Sequence, residues 1–249
     1  MGTLKLLTEL ISLFDPEKPN FLPTELYNES WLMKLVFHQA STILDNDFPL
    51  GFLAESTWFS EALLPTAFKA RCRSDPLGES RTNADGVIGH FLIGKKAKAD
   101  IELIPKASQF TVVEAKVGAP LSKGISNAPY FDQAARNVAC MAEVIARAGI
   151  DPSSFSRLDF VVLAPDYSID KGTFSEKMEP SSIESKVKRR VSEYGGELDS
   201  WYKDHFEPTL ERIQLHSLSW EDAIGWIGQE KSAEADELSK FYDLCLEFK

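Results

Sequence analysis

The stretch Lys98-Ala-Asp-Ile-Glu-Leu-Ile-Pro-Lys-Ala-Ser-Gln-Phe-Thr-Val-Val-Glu-Ala-Lys116 decides how this chain is read. Ala99, Ile101 and Leu103 alternate with Asp100 and Glu102; farther on, Val113, Ala115 and Val117 alternate with Val112, Glu114 and Lys116. Period two with apolar residues on one side predicts two strands. A turn centred on Ala107 would make them an antiparallel hairpin and set Asp100 opposite Glu114, with β-carbons about 5 Å apart. Glu114 and Lys116, two apart, share a strand face. Facing carboxylates repel unless a proton or a cation lies between them. A hard divalent cation such as Mg²⁺ takes oxygen ligands and keeps several waters, a requirement that two carboxylates, a backbone carbonyl and a phosphate oxygen meet. The competing reading is a solvated sheet face with a surface ion pair.

Asp100, thirteen intervening residues and then Glu114-Ala115-Lys116 resemble the motif of the PD-(D/E)XK nuclease superfamily, which has the restriction-endonuclease-like fold. The small residue before the acid (Ala99, where the family name has Pro), the apolar approach through Val112 and Val113, and Val117-Gly118 after the lysine add to the likeness. The resemblance implies a mixed α/β fold with an αβββαβ core over residues 51 to 165, in which a mixed central sheet is flanked by helices. It also implies that Asp100 and Glu114 hold Mg²⁺, with Mn²⁺ able to substitute, that the carbonyl of Ala115 completes the ligand set, and that Lys116 orients the attacking water. The family often places a Glu of its first core helix beside the metal and a Gln in the helix after the ExK strand. Those places fall to Glu55, with Glu61 as substitute, and to Gln133.

The flanking segments are read from the residues themselves. Residues 54 to 68 predict a helix with Trp58, Phe59, Ala62 and Thr66 on one stripe, and Glu55 on the same stripe. Glu55 equally suits a helix amino terminus through the dipole. A second helix is expected from Pro129 to Ala148, closed by Gly149, with Gln133 at the border of its apolar face and Asn137 one turn on. There Tyr130 and Arg136 could reach a phosphate, or else serve packing and solvation. Thr82 to Gly94 reads as the first strand of the meander. Asp85, at its start, rivals Asp100 as the metal-binding acid, although Asp85-Gly86 is also a strong turn dipeptide. His90 reads as a structural histidine. Leu158 to Ala164 predicts a buried strand stopped by Pro165.

The ends read as helical decoration of a single domain. Residues 1 to 50 carry helical spacing at 3 to 14 and 29 to 43, with Pro16, Pro19 and Pro23 between. Residues 166 to 249 hold a polar stretch at 166 to 182, then helices near 183 to 194, 200 to 213, 220 to 228 and 232 to 248, in which Trp201, Trp220 and Trp226 pack internally.

With 43% apolar residues in a chain of 249, a sizeable core can form. No window reaches the roughly 18 apolar residues of a membrane span, the start lacks a signal-peptide pattern, and cytoplasmic residence is expected. Cys72, Cys140 and Cys245 are too scattered for a zinc site or a disulfide framework. The 38 acidic and 27 basic residues give a net charge of −11, unusual for a free-standing nucleic-acid binder. Lys95, Lys96, Lys98, Lys106, Lys116 and Lys123 nevertheless gather around the hairpin as a candidate phosphate-facing group. Lys186, Lys188, Arg189 and Arg190 form a second run, read as a solvated face. An acidic protein with one basic patch should grip DNA weakly alone, so a protein partner supplying recognition, or a homodimer, is expected.

The leading expectation is therefore a Mg²⁺-dependent nuclease acting on nucleic acid, DNA first. The alternatives are a nuclease-like subunit that no longer cuts and serves as a binding scaffold, and a metal-dependent enzyme acting on another phosphoester.

Overall fold

The computed structural model describes every residue except 1, 2, 16, 17, 19, 46, 80, 81, 95, 96 and 125–127. Pro16, Pro19, Lys95 and Lys96 of the sequence reading lie outside the described residues. In chain order the first elements are α1 (Thr3–Ser12), α2 (Pro23–Leu26), α3 (Glu29–Ala40), β1 (Thr57–Leu64), β2 (Thr82–Gly89), β3 (Phe91–Ile93), β4 (Ile101–Leu103), β5 (Gln109–Ala115), α4 (Gln133–Ala148) and β6 (Arg157–Ala164). There follow α5 (Asp166–Asp170), α6 (Ser175–Met178), α7 (Pro180–Ser192), α8 (Asp199–Trp201), a π-helical turn at Tyr202–Phe206, α9 (Glu207–Arg212), β7 (Gln214–Ser219), α10 (Trp220–Glu230) and α11 (Ser232–Glu247).

The fold is mixed α/β. Its central sheet has five strands in the order β1-β2-β5-β6-β7, with β2 antiparallel to β1 and β5, and β6 parallel to β5 and β7. Strand β6 is buried along its whole length, as its unbroken apolar run requires. On one face Val112 and Phe160 pack under α4 and α7; on the other, Val113, Ala115, Val161 and Leu163 pack against α3, α10 and α11. Thus α3 lies on the sheet itself, its Leu32, Met33, Val36 and Phe37 fully buried.

The local chemistry explains the helix ends near the sheet's carboxyl edge. The Asn28 side chain accepts from the Trp31 N–H at 3.0 Å and caps α3. Asp132 caps α4 through the Ala135 N–H at 3.2 Å, and Gly149, at φ 64°, closes that helix.

Several expectations are corrected. Strand β4 does not pair with β5: it pairs with β3 in a separate two-stranded ribbon, Leu92 facing Glu102, while β5 pairs with β2 and β6. The expected strand from Thr82 to Gly94 is split at Gly89, which adopts φ 149°, and a side chain there would lie 2.2 Å from the carbonyl oxygen of Gln109. The chain can therefore leave the sheet as the β3–β4 ribbon and re-enter it as β5. Alternation specifies which face a residue takes, not which strand it meets.

The helix expected over 54 to 68 is a strand. Its residues Thr57, Trp58 and Phe59 favour extended backbone, and Phe59 and Trp58 pack on opposite faces of the sheet. The polar stretch 166 to 182 carries the short helices α5 and α6, α4 begins at Gln133 rather than Pro129, and β7 occupies a segment that the sequence reading left without a strand. Trp220 and Trp226 are buried and Trp201 packs against the core. His90 is structural: its Nε2 donates to the Ala54 carbonyl at 2.9 Å, and its Nδ1 accepts from the Ser108 and Gln109 N–H groups. Among the described residues no helix is long and apolar enough to cross a membrane.

Candidate active site at the carboxyl end of the central strands

Glu114, at the end of β5, is fully buried. Its neighbours Val113 and Ala115 face α3 and α10, so strand alternation turns Glu114 toward α4. There α4 supplies two amides one turn apart: the Gln133 Nε2 donates to Glu114 Oε1 and the Asn137 Nδ2 to Oε2 at 3.1 Å. The Gln133 carbonyl oxygen in turn accepts from the Ser122 N–H and hydroxyl at 3.0 and 3.1 Å, which fixes the orientation of its amide.

Asp85 of β2 completes the cluster. Its Oδ2 accepts the Ala115 N–H at 2.8 Å and lies 3.8 Å from the Lys116 Nζ, which also donates to Glu114 Oε1 at 2.5 Å. Burial first, then the charge of Asp85, pushes the Glu114 carboxyl above its ordinary range against the pull of Lys116. Burial works against the Lys116 charge, but Glu114 and Asp85 outweigh it and hold the ammonium more firmly protonated. The backbone of Lys116 is tied on both sides: its N–H donates to the Leu163 carbonyl and its own carbonyl accepts from the Trp220 indole, each at 2.8 Å. From below, Glu29 at the start of α3 accepts the Val117 N–H at 3.1 Å.

The structure brings together Glu114, Ala115, Lys116 and Gln133 of the predicted set and separates the other two residues. Asp100 bridges to Leu63 on the outer edge of β1, so β1 and β2 stand between it and Glu114. The one-hairpin geometry that put Asp100 opposite Glu114 is absent. Glu55 is exposed in the turn before β1, at φ 65°. The register places Asp85 level with Glu61, so Glu55 lies six residues, about 20 Å of strand, from that level. Glu61 does stand beside Asp85 on the neighbouring strand, but in strand rather than helix, with φ 57°, and it accepts from the Ser30 hydroxyl at 3.2 Å.

The basic groups are also rearranged. Lys98 and Lys106 are exposed, Lys98 next to the segment that bridges the outer edge of β1 and Lys106 just before β5, at the end opposite Glu114, so the described lysines of the sequence cluster do not form one group in space. The second run is divided: Lys188 and Arg189 are exposed, as a solvated face requires, with Arg189 3.6 Å from the Tyr130 ring centre, whereas Arg190 is fully buried on Glu79 and Glu193 and Lys186 pairs with Asp132. Tyr130 donates to Glu193, and Arg136 donates to Thr82.

Sequence reasoning ranked Asp85 behind Asp100 because Asp100 has the better spacing to Glu114 and a turn dipeptide already explains Asp85, and it passed over Glu29 and the contact of Asn137. For Asp85 the usable signal was the Thr82–Gly89 strand itself, in which it is an acid amid buried positions. For Glu29 the pattern at the start of α3 signals only a helix terminus.

The donors offered to a cation are hard oxygens: the carboxylates of Asp85 and Glu114 and the carbonyl of Ala115, the residue that follows Glu114. Among the described residues no group of three or more His, Cys, Asp or Glu side chains could hold a metal ion. This set fits a largely hydrated Mg²⁺, which needs only one or two carboxylates from the protein, and not a closed zinc site. No protein-family model, no curated protein and no solved structure matches this chain.

Proposed function

We propose that this chain is a divalent-cation-dependent nuclease with a restriction-endonuclease-like core, in which Asp85 takes the part that spacing alone gave to Asp100. The observation that carries the reading is the convergence of Asp85, Glu114 and Lys116 at one end of adjacent central strands. The chain order α3, β1, β2, β5, α4, β6 supports it, being an αβββαβ succession once the β3–β4 ribbon is set aside as an insertion.

Asp85, Glu114 and the Ala115 carbonyl would hold Mg²⁺ or Mn²⁺. When bound, such an ion lowers the pKa of a coordinated water and offsets charge on the scissile phosphate. Gln133 and Asn137 keep both oxygens of Glu114 aimed, so little reorganisation is needed when charge develops. Lys116, held protonated by its two acids, orients the attacking water or a phosphate oxygen. The water oxygen adds to phosphorus as the bond to the leaving oxygen breaks; the water proton passes to solvent and the leaving oxygen takes one up.

Cleavage of linear, circular and single-stranded DNA with Mg²⁺ or Mn²⁺ tests this reading. Products that require metal and vanish in both Glu114→Ala and Lys116→Ala support it, and products that persist in both overturn it. The second reading, a scaffold subunit that no longer cuts, is favoured by the net charge of −11 and by an ammonium already bound to both acids. A thermal shift separates the two, because a chain without a metal site gains no stability from Mn²⁺.

A further inference from the structure

Two cations stand on either side of the segment that leads into α4. The loop after β5 runs along one side of it: the Gln133 N–H donates to the Ser122 carbonyl at 3.3 Å and the Gly124 N–H to that of Pro129 at 3.2 Å. Gly124 permits this approach, because a side chain there would collide with the Ala128 carbonyl oxygen. On the other side lies α7, whose Lys186 donates to Asp132 at 2.8 Å and whose Arg189 lies over the Tyr130 ring. Lys123 of the loop and Arg189 of α7 are exposed, and among the described residues neither has an ion pair. Both adjoin the candidate site. Ser122, just before Lys123, holds the Gln133 amide that donates to Glu114, and Tyr130, under Arg189, is three residues before Gln133.

The acids that touch these elements are already engaged. Asp132 accepts the Ala135 N–H with one oxygen and the Lys186 ammonium with the other, and Glu193 accepts from the Tyr130 hydroxyl and from Arg190. The surface around the amino end of α4 therefore keeps positive charge in a chain of net −11, and the dipole of this 16-residue helix adds to it. A guanidinium stacked on a ring still offers its N–H edge to an anion that accepts two hydrogen bonds at once, as phosphate does. Lys123, across the lead-in from Arg189, supplies a second point of positive charge. Two such points flanking one segment suit a chain of phosphates better than a single anion, and their continuity with Gln133 and Glu114 sets that chain beside the candidate site.

Resting on the nucleic-acid substrate of the nuclease reading but not on its power to cut, we infer that Lys123 and Arg189 hold the phosphate backbone of the nucleic acid next to the candidate site. Binding of a labelled single-stranded oligonucleotide and of its duplex to the full chain is followed by fluorescence anisotropy in chelator at rising salt. Lys123→Gln and Arg189→Gln each remove one exposed charge, so the fold should persist. In each variant the slope of log Kd against log salt should shrink by about 0.7 on the single strand or about 0.9 on the duplex, one phosphate contact's share. Lys106→Gln makes the same change of charge at the opposite end of β5 and should keep the wild-type slope. A wild-type slope in either Lys123→Gln or Arg189→Gln, an equal fall in Lys106→Gln, or wild type that binds neither oligonucleotide overturns the inference. Mn²⁺-dependent cleavage measured in parallel judges the nuclease reading separately: cutting with unaltered slopes keeps it without this surface, and the expected slopes without cutting keep the surface in a chain that binds only.

Discussion

Asp85 on β2 accepts the backbone N–H of Ala115 at 2.8 Å, so one carboxylate is clipped to the residue between Glu114 and Lys116. The clip sets two strands and two acids in one register, and substitutions at Asp85 and at Asp100 should therefore differ sharply. Asp85→Asn should lower metal-dependent cleavage by about 10²-fold or more. Asp100→Asn, two strands away, should leave the rate within about threefold of wild type in an assay carrying no more than the roughly twofold to threefold context dependence of such effects. Equal losses in the two variants would return the metal-binding role to Asp100.

Lys116→Met should reveal how much the ammonium holds together. It leaves Glu114 buried beside Asp85 with no cation between them, and breaking a buried pair in this way costs about 3–5 kcal/mol. Urea denaturation in chelator should show that loss, and Mn²⁺ should restore more stability to the variant than to wild type. A variant as stable as wild type in chelator would mean that Lys116 is not what compensates the acids.

Glu79 and Arg190 allow a test of pH dependence away from the site. Burial first raises the Glu79 carboxyl above its ordinary 4.5, against the pull of Arg190. A carboxyl that binds its proton more tightly folded than unfolded contributes stability present in full below its unfolded value and lost as pH rises through its folded one. Glu79→Gln should accordingly flatten the decline of unfolding free energy with rising pH just above 4.5. An unchanged slope would assign that decline to other groups. Arg190→Met, removing a fully buried guanidinium, should cost about 3–5 kcal/mol at neutral pH.

The thiols report on packing. Cys72 is exposed, whereas burial pushes Cys140 and Cys245 up to about 12. An aromatic disulfide reagent at pH 8 should modify Cys72 quickly in the folded chain and all three thiols only after denaturation. Fast reaction of Cys245 would show that the wall between α11 and α3 opens on that timescale.

The parts of the fold legible in sequence are those with one dominant period and one available partner. Leu158 to Ala164 forms β6 because an unbroken apolar run must be covered on both faces, and the α4 stripe ends where Gly149 stops it. The hairpin failed because Ile101 and Leu103 satisfy their alternation equally well against β3, and only the bend at Gly89 decides between the partners. Residues 54 to 68 failed because Trp58 and Phe59 look alike on a helical stripe and on the two faces of a strand. In the site, Glu114, Lys116 and Gln133 were legible from spacing within single elements. Asp85 and Glu29 were not, since their meeting with the β5 end depends on long-range contacts across 30 and 88 residues of chain.

The tie between the Trp220 indole and the Lys116 carbonyl has a consequence for how the protein is made. Every acid, amide and amine of the site has been synthesised once Asn137 is added, but Trp220, whose indole aligns the end of β5, is added more than eighty residues later. Nascent chains thus carry every one of these groups before the contact that aligns them exists, and the end of β5 takes its final setting only after Trp220 has joined the fold.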